Sequence, residues 1–257
     1  VLTIDVPQSA SGADTPATLA FFQEATRRIG ELPGVEAVAS GMIVPWRDAS
    51  SGMKFQFGFE GYQPADGEED PTCRLRPISP RFFAVLGVPV LAGRDFTDLD
   101  RDGAEPVAIV SLSLAQRMFP NEDAVNRHLW FSSGRRGQSA DGRQLRRIVG
   151  IVADVDDENV VQVPSLTVYL PQRQLGPPTY TRLFVRAAGD PYALVPSVTR
   201  TLRALSADQA IERPTTLEDV RAEVLTPERL SAFVFAAFGG IALLIAIVGV
   251  AGVLAFT

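Results

Sequence analysis

The chain opens on Val-Leu-Thr-Ile-Asp-Val, where apolar and polar residues alternate with the two-residue period of a half-buried strand. The period then lengthens. Leu19, Phe22, Ala25, Thr26 and Ile29 recur at helical spacing, Asp14 or Thr15 can cap that segment, and Pro16 suits its first turn. Pro33-Gly34 stops the helix, and VEAVASGMIV follows as a strand. The same order returns late in the chain. TRLFVRAA, from Thr181 to Ala188, reads as a strand, and Gly189-Asp190-Pro191 turns into a helix whose face carries Leu194, Val198, Leu202 and Leu205. A short strand is expected near Ala210 and Ile211. Thr216 with Asp219 then resembles a capping box, with Asp in place of the usual Glu or Gln, opening the helix LEDVRAEVL.

The middle of the chain has a different pattern. KFQFGFEG, TCRLRPI, PVLAG, PVAIVS, HLWFS, LRRIVGIVADV and SLTVYLP are strand-like and separated by Pro, Gly and Asp turns. Two short helices interrupt them, SPRFFAVLG and LSLAQRMFP. In the first, Phe82, Phe83 and Leu86 come together, which reads as packing ahead of a ligand site. The first and last strand–helix–strand units can pair into one sheet with helices on one face, the split arrangement of ferredoxin-like folds. The expected class is therefore α+β. Residues 1–60 and 177–226 form the two halves of a split ferredoxin-like βαβ subdomain, residues 61–176 a β-rich insertion, and residues 227–257 a transmembrane helix.

That last expectation comes from LSAFVFAAFGGIALLIAIVGVAGVLAFT, the 28 residues from Leu230 to Thr257, of which 22 are hydrophobic and none is charged. A hydrocarbon layer about 30 Å thick needs about 20 apolar residues at about 1.5 Å of rise each. The alternative, a helix buried in a large core, requires protein around it on every side. Within the run, Ala232, Ala236 and Gly240 lie four residues apart, and Gly239, Ala242, Ala246 and Gly249 make a second small-residue stripe. Such stripes let helices approach closely in lipid, although small residues are also simply common in membrane helices. Val1 falls inside an apparent strand where a natural start would be Met, so the chain is read as a segment of a longer protein.

Composition narrows the chemistry. A formal charge of −6 argues against an obligate nucleic-acid binder. A single cysteine, Cys73, excludes an internal disulfide and a cysteine-based zinc site, and a single histidine, His128, excludes a histidine-rich metal site. There is no GxxxxGK[ST], no GxGxxG after a strand and no GxSxG. His128 reads as an ordinary strand-start residue with no nucleophile in its local sequence. Asp154, Asp156, Asp157 and Glu158 form the densest acidic cluster, but their spacing misses the EF-hand pattern, so a solvated turn is favoured over a calcium site. Arg135, Arg136, Arg143, Arg146 and Arg147 flank a Gly/Ser/Gln stretch read as a long exposed hairpin loop, with contact to anionic lipid headgroups or an acidic partner as the alternative. No catalytic, cofactor-binding or metal-binding residue is assigned.

The order of these pieces carries a resemblance. SPRFFAVLGVPVLAGRDFTDLDRDGAEPVAIVSLSLAQRMFPNEDAVNRHLWF resembles the periplasmic core domain of MacB-like ABC transporter permeases. Ser79 to Asp100 and Val107 to Ala115 fit that family's SP–x–[FY]F and G–R–x–F–x–x–x–D run and the V–x–[IV]–[VI]–[NS] strand after it. RIVGIVADV followed by VYLPQ resembles the family's closing strands, and LTPERLSAFVFAAF onward resembles the start of an FtsX-like membrane domain, similar to permeases carrying two such modules. Asn126-Arg127-His128 departs from the family, where a Gly-Lys/Arg-Arg-like run is usual. The resemblance implies a porter-like split subdomain with a "sabre" insertion on the periplasmic side of a bacterial inner membrane, and a non-catalytic role. Motion driven by a separate or fused ATP-binding cassette would be transmitted through paired permease copies or modules, with the lipid bilayer and a periplasmic adaptor as further partners. A membrane-anchored ligand-binding or sensor domain is the alternative.

Overall fold

The computed structural model describes residues 1–7, 15–48, 54–62, 69–120, 122–132, 144–155, 166–175, 180–224, 238, 239 and 242. They fall into two compact units, Val1–Leu217 and Glu218–Thr257. In chain order the first unit contains β1 (Leu2–Pro7), α1 (Thr15–Gly30), β2 (Val35–Gly41), β3 (Lys54–Phe59), β4 (Thr72–Ile78), α2 (Phe82–Leu86), β5 (Val90–Gly93) and β6 (Val107–Ser111). It continues with α3 (Leu112–Met118), β7 (His128–Phe131), β8 (Arg146–Val152), β9 (Thr167–Pro171), β10 (Tyr180–Ala187), α4 (Val195–Leu205) and β11 (Glu212–Thr216).

The outer elements form one layer of sheet and one of helix. The strand order is β11-β1-β10-β2 with every neighbour antiparallel, in registers such as Ile4 opposite Leu183 and Leu183 opposite Ser40. Leu2, Ile4, Val6, Val38, Leu183 and Val185 line one face and meet Phe22, Ala25 and Ile29 of α1 and Val198 and Leu202 of α4. Apart from Ala25, each of these side chains contributes about 1.5–3 kcal/mol when taken from water, which holds the helices on that face. The late helix is built in two steps: the Asp190 carboxylate accepts from the Tyr192 N–H at 3.0 Å to open a 3-10 turn, Pro191–Leu194, and α4 follows. The short strand expected near Ala210 and Ile211 begins at Glu212, and helix starts at Leu217. The expected cap residue Asp14 lies outside the described residues.

The middle strands close on themselves. β4 pairs with β3, β3 with β7, β7 with β8, β8 with β6, β6 with β9, and β9 with β4, completing a ring of six strands. Every strand of that ring sends at least one residue into a single core: Phe57, Cys73, Ala108, Val110, Leu129, Ile148, Val168 and Leu170, joined by Leu114, Ala115 and Met118 of α3. β5 adds to the outside of the ring on β8. Residues 54–59, read from the sequence with the first half of the split subdomain, pair with β4 and β7 inside this ring. The alternation of KFQFGF specifies a strand but not its neighbour, because both candidate sheets present apolar faces.

In the second unit residues 218–224 are helical, as are residues 238, 239 and 242, and Ala242 is exposed. Ala232, Ala236, Gly240, Ala246 and Gly249, the other proposed helix-packing positions, lie outside the described residues. Among the described residues no helix is long and apolar enough to cross a membrane.

Candidate functional site

Chemistry-bearing residues converge where the outer sheet meets the ring. β2 touches β4 through one backbone pair, Gly41 opposite Ile78. Around it the Ser79 N–H donates to the Ser40 carbonyl at 2.9 Å and the Ser40 N–H to Ser79 Oγ at 2.8 Å. The buried Ser40 hydroxyl donates to Gln172 Oε1 at 2.7 Å. Ser40 is thereby fixed from both sides, by the residue before Pro80 and by the 3-10 turn Gln172–Gln174 after β9.

α2 fills the space beside this seam. Phe82 meets Phe184 of β10 edge-on at 5.2 Å, and Phe83 meets Tyr169 of β9 at 4.8 Å. One short helix thus puts one aromatic ring against each part, and the two pairs contribute about 0.5–1.5 kcal/mol each beyond their buried area. Gly41 makes room: a Cβ there would lie 3.0 Å from Phe82 and 3.2 Å from Phe184. The end of α2 is held from the outer sheet by Arg186, whose guanidinium donates to the carbonyls of Ala84 and Val85 at 3.3 and 3.2 Å and pairs with Glu36 at 3.2 Å. A cation at a helix C-terminus satisfies carbonyls the helix leaves unpaired.

The loop after β5 braces α2 from below. Asp95 accepts from the Phe96 N–H at 2.7 Å and from the Arg81 backbone. Burial pushes its carboxyl above the usual range, those bonds notwithstanding. Arg81 carries φ +67°, a left-handed conformation uncommon outside glycine, just ahead of α2. Arg94 grips Asp100 with both terminal nitrogens at 2.7 and 2.8 Å, and Thr97 donates its N–H to the same carboxylate. Burial alone would raise Asp100, but the Arg94 and Thr97 bonds outweigh it and hold the carboxyl below its ordinary value. The residues from Ser79 to Asp100 therefore form one continuous brace.

A second charged group escaped the sequence reading. On the sheet face opposite α1 and α4, Asp5 is 2% exposed and accepts from Arg47 at 2.6 Å and Arg182 at 3.2 Å. Arg182 also pairs with Asp48 at 3.2 Å and donates to the Met42 carbonyl. Asp48 in turn accepts the Val44 N–H at 2.8 Å. Two acids and two arginines from β1, β10 and the segment after β2 balance in charge, which is what permits such burial. Alternation alone does not distinguish a solvated polar position from a buried, paired one, and the partners of Asp5 are more than 40 residues away.

The individually weighed residues fall as follows. His128 begins β7, and its Nδ1 lies 3.3 Å from Glu60 Oε2. That contact holds the Glu60 carboxyl below its ordinary value. Cys73 is buried in the ring core, where desolvation raises its thiol to about 12. Asp154 accepts from the Ser113 N–H at 3.0 Å and hydroxyl at 2.6 Å beside the start of α3, while Asp156, Asp157 and Glu158 lie outside the described residues. Among the described residues no group of three or more His, Cys, Asp and Glu side chains is placed to hold a metal ion. Arg135, Arg136 and Arg143 are likewise outside the described residues. Arg146 and Arg147, which flank the Gly/Ser/Gln stretch, begin β8 within the expected strand LRRIVGIVADV, and Arg147 grips Glu105 at 2.8 and 2.7 Å.

Comparison with known proteins places this architecture. No curated protein matches the chain. Among solved structures, the periplasmic region of MacB from Actinobacillus actinomycetemcomitans shares the fold with a TM-score of 0.55 at 14% identity, covering 88% of this chain and 92% of that one. The extracellular domain of the noncanonic ABC-type transporter YknZ from Gram-positive bacteria gives 0.49 at 16% identity, over 83% and 100%. The family described as the MacB-like periplasmic core domain matches residues 2–221, a span that contains the seam, its brace and the closed ring, and the chain belongs to that family.

Proposed function

We propose that this chain is the non-catalytic extracytoplasmic part of an ABC-type export permease, with a membrane helix at residues 227–257, and that it transmits ATP-driven motion outside the membrane. One observation carries the reading. The family match ends at residue 221, and an uncharged run of membrane length begins at Leu230, so a body of this family leads straight into a segment suited to lipid. The order β11-β1-β10-β2, with α1 and α4 in one core, supports a split ferredoxin-like, porter-like subdomain, and the closed ring supports a sabre-like insertion beginning before β3. The seam around Ser40, Phe82 and Phe83 supports rigid coupling between the two. Such a body works with an ATP-binding cassette, a second permease copy or module and the bilayer, and a periplasmic adaptor is the further partner this reading admits.

The test uses the full-length permease with its cassette in nanodiscs. Spin labels are placed at Arg203→Cys on the exposed side of α4 in a Cys73→Ala background. The distance between bodies in the dimer should change between nucleotide-free and ATP-bound states. Unchanged distances during ATP hydrolysis would remove the mechanical reading.

A further inference from the structure

One end of the ring, where β6 and β8 begin and β9 finishes, is rich in arginine. Three of these side chains own a carboxylate: Arg94 holds Asp100, Arg147 holds Glu105, and Arg173 reaches Asp98 at 3.4 Å. Arg146 is the exception. It is 5% exposed, and among the described residues no carboxylate lies within ion-pair distance of it. Its guanidinium donates to two neutral amide oxygens, Gln144 Oε1 at 2.9 Å and Gln174 Oε1 at 3.4 Å. The second contact is long because Gln174 is already committed: its Oε1 accepts from the Val107 N–H at 3.1 Å and its Nε2 donates to the Glu105 carbonyl at 2.8 Å.

Arg146 stands opposite Leu129 and two residues before Ile148, both in the ring core, so its side chain lies on the inward face at the mouth of the ring. A guanidinium has five N–H donors in a fork matched to carboxylate, and these contacts use two. Burying a cation against amide dipoles alone is costly, and here desolvation holds the group below its ordinary value. Barrel mouths are recurrent binding places. Two exposed leucines stand among the ion pairs of this end: Leu99, beside Asp98, is 77% exposed, and Leu175, beside Gln174, is 40% exposed.

We propose that this mouth receives a carboxylate side chain from an acidic segment of a partner protein, with Arg146 as its cation and Leu99 and Leu175 as its apolar contacts. A protein segment fits better than a lipid headgroup. A slim carboxylate on a flexible stem suits so recessed a guanidinium, and apolar neighbours on the same segment cover the two leucines. The inference stands independently of the transport reading.

The experiment titrates the full chain in detergent, its arginines labelled with nitrogen-15, with N-acetyl-glutamate methylamide as a single-carboxylate probe. The Arg146 resonance is identified by its loss in Arg146→Met. That resonance should shift saturably, beyond any change from sodium chloride at equal ionic strength. Arg146→Met should weaken probe binding about tenfold or more, as expected for a lost charge-assisted pair. The same variant should unfold at a midpoint no lower than the parent, because it removes a buried charge that lacks an anion. No saturable shift, or equal binding by Arg146→Met, overturns the site. A response to inorganic phosphate and none to the carboxylate overturns the protein partner in favour of a headgroup. A clearly lower midpoint with no probe response makes Arg146 purely structural.

Discussion

Gly93 and Gly150 face each other where β5 crosses β8, and neither can carry a side chain. Gly93 has φ +71°, and a Cβ there would sit 2.2 Å from the Val149 carbonyl oxygen; one on Gly150 would sit 2.3 Å from that of Arg94. Gly93→Ala should therefore cost about 2–3 kcal/mol, read from urea unfolding, from backbone strain and displacement of the brace. Cys73 makes a chemical prediction. With its thiol raised to about 12 inside the ring core, it should resist maleimide at neutral pH in the folded protein and label rapidly once denatured. Asp100 makes one about pH. Its folded carboxyl titrates below the unfolded value, so its contribution is present above the ordinary carboxylate range and is lost as pH falls through the folded value. Asp95, raised by burial, works in the opposite sense. Asp100→Asn should lower stability at neutral pH and flatten the loss below pH ~4, measured as unfolding free energy against pH.

At the scale of elements, α2 joins the outer sheet to the ring with a single turn and a half of helix. Phe82→Ala should cost about 3–5 kcal/mol, as for other fully buried aromatic rings, and should speed hydrogen exchange in β2 and β10 more than in β7. Exchange spread evenly over all strands would show that Phe82 supports the core in general and not the seam. The local elements were legible because period alone reveals them: β1, α1, β10 and α4 lie where alternation and helical spacing put them. Phe82 and Phe83 were legible as packing residues, but not as rings that face opposite ways. Closure of the ring was not legible, since the parallel pairing of β4 with β9 joins residues more than 90 positions apart and leaves no local trace. The Asp5 cluster was hidden for the same reason, and so was Ser40, whose partners Ser79 and Gln172 sit in two different loops. Arg146 was legible as a member of the strand LRRIVGIVADV at the edge of an exposed stretch, but not as a buried side chain. Its burial follows from the inward face of β8, which sequence distance to Leu129 does not reveal.

For the whole molecule, the family match unites what the motif run and the fold indicate separately, and it covers the folded body up to the approach to the apolar run. Among the described residues, Arg186 and the Arg94–Asp100 pair brace α2, the Asp5 cluster ties β1 to β10, and Cys73 packs the ring. The proposed function requires that the body stand outside the membrane on the end of a lipid-embedded segment. The most direct measurement is labelling of Arg203→Cys, in a Cys73→Ala background of the full-length protein, with a membrane-impermeant thiol reagent applied to sealed membranes of known orientation. Modification from the external side alone is the predicted result. Modification from the cytoplasmic side alone, or release of the unmodified chain into the aqueous fraction without detergent, would contradict it.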